Sequence, residues 1–344
     1  MRPLSFEDDL SQRIDQIQPS MLFEGSTLEK LEAWQDRFRT TLVGLLGIRP
    51  ERAGLCLEFQ DEVDCGSYVR RRVQYQTEPD VHVPAYLLVP KSIPAGQRLP
   101  GLLCLHGHGH FGKDSVVGID DSPERQDEID KHDYNFGQKF AEQGYVVLAP
   151  DLRGFGERRP GYPGPRTDYC PRNYMCATLL GTTVVALHLC DLEAALDVLQ
   201  SLDFVDGEKL GCAGLSLGGR MTMMITAVDR RIKIAVPSGC LNLFQERFQA
   251  LRQCGAQLIP GLLRYGDTPE IFSLIAPRPM VIEWGLSDPL IPHEWAERGL
   301  VRIRKAYEAA GARARLSVDR FDGGHVFSGR AAWEILKQWR TGSL

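Results

Sequence analysis

Three residue types in this 344-residue chain are placed as acyl-transfer chemistry needs them. Ser216 stands in Gly214-Leu-Ser-Leu-Gly218, after the apolar run Leu210 to Leu215 and before Met221, Met223, Met224, Ile225 and Ala227. That order reads as a strand, a sharp turn and a buried helix. A serine on such a turn is held at strained backbone angles, and only tiny side chains fit at Gly214 and Gly218, where strand and helix pass closely. A hydroxyl is a poor nucleophile until a base takes its proton, so a histidine must reach it and an acid must fix that imidazole's tautomer. Asp288 suits the acid, closing the segment Met280 to Asp288 at a strand end that leads into Pro289; Glu283 and Asp322 are substitutes. His325, in the glycine-rich loop Phe321-Asp-Gly-Gly-His325 after the last strand, suits the base. His293 follows Ile291-Pro292 at a helix start and His188 lies within an apolar helix, so both fit less well.

The tetrahedral intermediate of acyl transfer needs two amide donors aimed at its oxyanion. Leu217 N–H, opening the helix after the nucleophile, is one. The other is expected from the loop His106-Gly-His-Gly-His110, which follows the strand Leu102 to Leu105; the amide of His108 is selected, with Gly109 permitting close approach. The His106 side chain is expected to brace the loop. Histidines at alternate positions also resemble zinc ligands along an extended segment. The intervening glycines favour a bent loop and no acidic residue follows at ligand spacing, so no metal and no cofactor is expected.

Positioning these groups requires a particular scaffold. Helical spacing of Leu28, Leu31, Trp34, Phe38, Leu42 and Leu45 predicts an amphipathic helix that ends at Gly47. Leu55 to Phe59, Tyr68 to Gln76 and Val81 to Val89 read as strands whose short connections imply antiparallel edges. Beyond Gly96 the pattern alternates. Strands are expected at Leu102 to Leu105, Tyr145 to Ala149, Leu210 to Leu215, Ile232 to Val236, Met280 to Trp284 and Ala314 to Val318. Helices are expected at Phe136 to Gln143, Thr182 to Leu202, from Ser216 to Val228, at Trp295 to Ala309 and at Ala331 to Trp339. Apolar strands separated by helices imply a mostly parallel sheet covered on both faces, with its site at the strands' carboxyl ends. Residues 1–50 read as an N-terminal helical extension and 51–344 as one α/β domain, with insertions at about 106–133, 153–177 and 242–276 that are long enough to form a substrate pocket. Arg153, in Asp151-Leu-Arg-Gly-Phe-Gly156, reads as a turn residue braced by a salt bridge.

A net charge of −5 argues against nucleic acid or an anionic membrane as partner, and 43% hydrophobic residues suffice for a large core. Residues 1–20 carry scattered charges and no apolar core of a secretion signal, and no stretch is long enough for a membrane span. Nine cysteines, an odd number without Cys-x-x-Cys pairs, indicate reduced thiols and a cytoplasmic location. Cys104, Cys190 and Cys212 are expected in the core, whereas Cys170 and Cys176 are close enough in sequence to pair under oxidising conditions.

Leu105-His-Gly-His-Gly109, Asp151 to Gly156, Gly214 to Gly219, Asp288 and His325 together resemble an α/β-hydrolase over about residues 99–340. Within that superfamily the chain is similar to bacterial acetyl xylan esterase-like and dienelactone hydrolase-like enzymes. It has Leu217 and Val326 where the deacetylases place Gln and Glu, and Ser216 where dienelactone hydrolases place cysteine. The resemblance implies a cofactor-free Ser-His-Asp hydrolase of a small carboxylic ester, such as an acetyl or sugar ester. An amidase or peptidase would use the same apparatus, and a binding protein could keep the fold without turnover; a homo-oligomer is neither indicated nor opposed.

Overall fold

The computed structural model describes residues 5–94, 96–164, 167–250 and 254–344, and for 248–250 the backbone alone. Positions 165–166 and 251–253, within two of the expected insertions, lie outside the described residues. Two helices come first: α1 (Phe6–Gln16) and α2 (Leu28–Leu45). Ser5 and Thr27 cap them by accepting from Asp8 N–H and Lys30 N–H, which satisfies otherwise orphaned amides. Helix α2 buries Leu31, Trp34, Phe38 and Leu42, with Trp34 stacked on Phe38, as the spacing predicts. Helix α1 buries no residue, although Phe6, Leu10 and Ile14 recur at helical spacing.

The strands β1 (Glu58–Asp64), β2 (Tyr68–Glu78) and β3 (Val81–Pro90) form the antiparallel edge. β1 lies later than the apolar Leu55 to Phe59 signal because it is an edge strand exposed on both faces, with a register shift between Phe59 and Glu62. Leu55 and Leu57 precede it and pack on the core instead. Then follow β4 (Leu99–Leu105), α3 (Lys113–Val116), α4 (Pro123–His132), α5 (Phe136–Glu142), β5 (Val146–Pro150), α6 (Cys170–Leu179), α7 (Val184–Ser201), β6 (Val205–Leu215), α8 (Leu217–Val228) and β7 (Ile232–Ser238). The chain closes with α9 (Phe244–Ala250), α10 (Thr268–Ser273), β8 (Met280–Gly285), α11 (His293–Ala309), β9 (Leu316–Phe321) and α12 (Arg330–Thr341). β9 starts later than expected because Arg313–Arg315 form a 3-10 turn.

The nine strands among the described residues join one sheet in the order β1-β2-β3-β5-β4-β6-β7-β8-β9. β4 through β9 are parallel, while β3 meets β5 antiparallel. One face is covered by α2, α7, α8 and α11, the other by α5 and α12, where Phe136 stacks on Phe327. Burial on both faces explains why the central strands are continuously apolar. Register places Leu105 beside Gly214 and Gly214 beside Pro237, so the carboxyl ends of β4, β6 and β7 open together.

The polar interior is structural. Lys113 is fully buried and donates to Asp151 Oδ2 at 2.8 Å, and Arg153 binds Asp191 at 2.6 and 2.8 Å and also pairs with Glu78, as a braced turn requires. Each of these charges has a partner, which offsets the cost of taking it out of water. No helix among the described residues is long and apolar enough to cross a membrane.

Candidate active site

Ser216 sits between β6 and α8 with φ 61° and ψ −115°, a backbone conformation that a non-glycine residue adopts only under constraint. The constraint is visible in its neighbours. A Cβ on Gly218 would lie 1.9 Å from Leu105 O, and one on Gly214 would lie 2.5 Å from the Gly218 carbonyl. Helix α8 therefore touches the ends of β4 and β6 backbone to backbone, and the elbow is pinned by Ser216 N–H donating to Ser238 O at 2.9 Å.

Asp288 and His325 meet beside it. Asp288 Oδ2 lies 2.7 Å from His325 Nδ1, and its Oδ1 accepts from Leu290 N–H at 2.8 Å. Their two loops are clipped together: Leu286 N–H donates to Phe321 O and Ser287 N–H to Gly323 O, both at 2.9 Å. Gly285 makes this possible, because a Cβ there would stand 2.2 Å from the carbonyls of Gly323 and Gly324. His132, at the end of α4, holds the histidine loop through Nδ1 to His325 O at 2.8 Å, and Phe327 N–H donates to His132 O at 3.0 Å. The imidazole rests against Gly239, next to the residue that pins Ser216, and its buried Nε2 has no hydrogen-bond partner among the described residues. Ser216 and His325 line one cavity of about 590 Å³ at the strands' carboxyl ends.

The other acids and bases have different partners. Glu283 Oε2 accepts from Gly329 N–H at 3.0 Å, and burial pushes its carboxyl up to about 7. His293 Nδ1 faces Trp284 Nε1 at 3.2 Å. His188 is fully buried, accepts from Arg153 N–H, and is held down to about 3 by that burial.

The loop after β4 is tied at several points. Gly107 packs against Ser216, where an added Cβ would be 3.0 Å from Ser216 Cβ, and its N–H donates to Tyr134 Oη at 2.6 Å. His106 Nε2 accepts from Leu152 N–H at 2.9 Å, so Nδ1 carries the proton that reaches Gly107 O at 2.7 Å; this is the expected brace. Glu128, on α4, accepts from His110 N–H at 2.5 Å and Ser115 Oγ at 2.7 Å, and Gly109 lets that carboxylate approach. His108 lines the Ser216 cavity. The three loop histidines diverge and share no ligand position: His106 turns inward, His110 Nε2 reaches Pro163 O, and His108 Nε2 lies 2.9 Å from Cys254 Sγ.

Sequence reasoning missed Tyr134, Glu128 and His132, which orient the two loops and sit on a helix carrying no motif, or just after it. It also missed Cys254. Cys170 and Cys176 do not pair: they lie on one helix, the first buried and the second exposed, and all nine cysteines are free. Cys104, Cys190 and Cys212 are in the core.

The parallel sheet, its crossovers and the strained serine between β6 and α8 define an α/β-hydrolase. The chain belongs to the Abhydrolase family, whose model matches residues 2–322. YtaP of Bacillus subtilis (strain 168), a hydrolase by name only, is 28% identical over 319 residues, covering 88% of this chain and 98% of that one. Among solved structures, a Bacteroides fragilis NCTC 9343 protein, by name only an acetyl xylan esterase, matches with a TM-score of 0.83 at 18% identity over 98% of this chain and 96% of its own. A glucuronoyl esterase from Solibacter usitatus gives 0.68 at 16% identity over 95% and 99%. At such identities the likeness is one of fold.

Proposed function

We propose that the protein is a serine hydrolase of small carboxylic esters, working through an acyl-enzyme on Ser216. The observation that carries this reading is the strained Ser216 in a cavity it shares with His325, whose Nδ1 is held by Asp288 at 2.7 Å. With Nδ1–H donated to Asp288, Nε2 is the free acceptor. Ser216 Oγ attacks the ester carbonyl while Nε2 takes its proton; the carbonyl π pair moves onto oxygen. Collapse of that intermediate expels the alcohol, which leaves with the proton from Nε2. Water then attacks the acyl-serine, giving its proton to Nε2, and collapse returns that proton to Ser216 and releases the carboxylic acid.

Leu217 N–H and His108 N–H serve as the oxyanion donors. Leu217 opens α8, whose first amides have no partner within the helix. His108 follows the glycine packed on Ser216. Removing one such donor typically costs about 10² to 10³ in kcat. The fold neighbours named as acetyl xylan and glucuronoyl esterases support an acyl or uronoyl ester of a carbohydrate as the substrate class. The segments 153–177 and 242–276 belong to the catalytic unit in this reading, since Cys170, Arg247 and Cys254 line its cavity.

Ser216→Ala tests the assignment. It is expected to fold normally, to lose at least about 10³-fold in turnover of p-nitrophenyl acetate, and to escape labelling by a fluorophosphonate that modifies the parent protein. Undiminished turnover in the variant refutes Ser216 as nucleophile. Comparing p-nitrophenyl acetate with the matching anilide separates ester from amide hydrolysis, and faster anilide cleavage would overturn the ester assignment.

A further inference from the structure

Beside Ser216, three soft donors from distant parts of the chain converge. A ring nitrogen of His108, Cys170 Sγ and Cys254 Sγ all lie within 4.8 Å of one another, His108 Nε2 being 2.9 Å from Cys254 Sγ, and all three residues line the cavity. His108 comes from the loop after β4, Cys170 opens α6, and Cys254 precedes the 3-10 turn Gly255–Gln257. Packing holds them there. A Cβ on Gly255 would stand 2.3 Å from Tyr174 Cβ and 3.1 Å from Cys170 O, so the 3-10 turn is pressed directly onto α6. Cys170 N–H donates to Asp168 Oδ1 at 3.0 Å, and the His108 ring meets Phe155 edge-on at 5.2 Å.

We infer that His108, Cys170 and Cys254 form a zinc site with three protein ligands and a fourth position open to the cavity. Two thiolates and an imidazole are a zinc donor set, and two thiolate charges neutralise a divalent ion without a carboxylate. Bond lengths of about 2.3 Å to sulfur and 2.0 Å to nitrogen place tetrahedral donors roughly 3.5 to 3.8 Å apart. Separations within 4.8 Å therefore close onto an ion with side-chain adjustment. Sulfur donors select zinc over magnesium, calcium or manganese, which prefer oxygen. The ion ties segments 153–177 and 242–276 to the loop that passes Ser216, and so staples the cavity wall to its floor. This inference stands whether or not Ser216 hydrolyses esters.

The full-length protein, reduced and freed of metal with a chelator, is titrated with cobalt(II). A thiolate-to-cobalt absorption band in the near ultraviolet and intense visible bands of a tetrahedral site are expected, saturating at one cobalt per chain and displaced by zinc. Cys170→Ser/Cys254→Ser is expected to lose both sets of bands, and zinc is expected to raise the melting temperature of the parent protein alone. Absence of a thiolate band in the reduced parent overturns the inference, as does an equal band in the double variant. A second measurement needs no variant: zinc is expected to protect Cys170 and Cys254 from alkylation, read by mass spectrometry. Unchanged alkylation, or a Cys170–Cys254 disulfide forming in air at the same rate with zinc present, overturns it too.

Discussion

Replacing Gly218 by alanine inserts one methyl group where α8 crosses the end of β4. The new Cβ would lie 1.9 Å from Leu105 O, 2.5 Å from Leu105 C and 2.7 Å from His106 O, all main-chain atoms. A contact below 3.0 Å forces something to shift, so the nearest approach falls more than 1 Å short. No flexible side chain can yield; the strand end or the helix must move as a body. Overpacking of this kind costs about 1 to 3 kcal/mol, and with backbone on both sides the expected loss is about 3 kcal/mol. Leu105 leads directly into the loop that passes Ser216, so the same movement displaces the proposed oxyanion donors Leu217 and His108, and in that reading a misplacement of about 1 Å costs on the order of 10² in turnover. Gly44→Ala is the control: it lies inside α2 with nothing within 4 Å of the added Cβ, and is expected to stabilise by about 0.5 to 1 kcal/mol. Urea unfolding followed by tryptophan fluorescence gives the stabilities, and p-nitrophenyl acetate hydrolysis by folded protein gives the rates. Gly218→Ala with stability within about 1 kcal/mol of the parent and normal turnover would refute the close-contact account of the elbow.

Glu283→Gln tests the buried carboxyl below the site. Its folded value of about 7 lies above the ordinary 4.5, so folding favours the neutral form. The fold is most favoured by this group below about pH 4.5, and that advantage erodes as pH rises to 7, by about 3 kcal/mol in total. The amide variant, always neutral, is expected to match the parent near pH 4.5 and exceed its stability at pH 8; a constant difference across that range refutes the assignment. Tyr134→Phe removes the acceptor of Gly107 N–H and leaves a buried donor unsatisfied. A loss of about 1 to 3 kcal/mol in stability, with a several-fold fall in ester turnover, is expected from unfolding and rate measurements, and an unchanged rate would show that this bond does not position the loop.

The expected helix α2, the antiparallel edge and the alternation of strands and helices from β4 onward were legible because each follows from local periodicity. The elbow was legible for a steric reason: glycine at both second neighbours of a serine, after a strand, has few other uses. Helices α4 and α6 were not, because their sequences are polar or mixed and only Ile129 on the first and Cys170 and Ala177 on the second turn to the interior. Along the chain Asp288 is preferred as the acid, with Glu283 and Asp322 as substitutes. The clip through Gly285 brings Asp288 to His325 Nδ1, while Glu283 turns to Gly329 N–H.

By itself, then, the amino-acid order determined the scaffold class and the order of a serine, an acid and a histidine along it, since those depend on residues close in sequence. Only the tertiary structure decided which acid meets the imidazole, which helix holds the loops beside Ser216, and that His108 joins Cys170 and Cys254 instead of its neighbouring histidines. These are contacts between distant segments, and packing, where one backbone must fit against another, sets them.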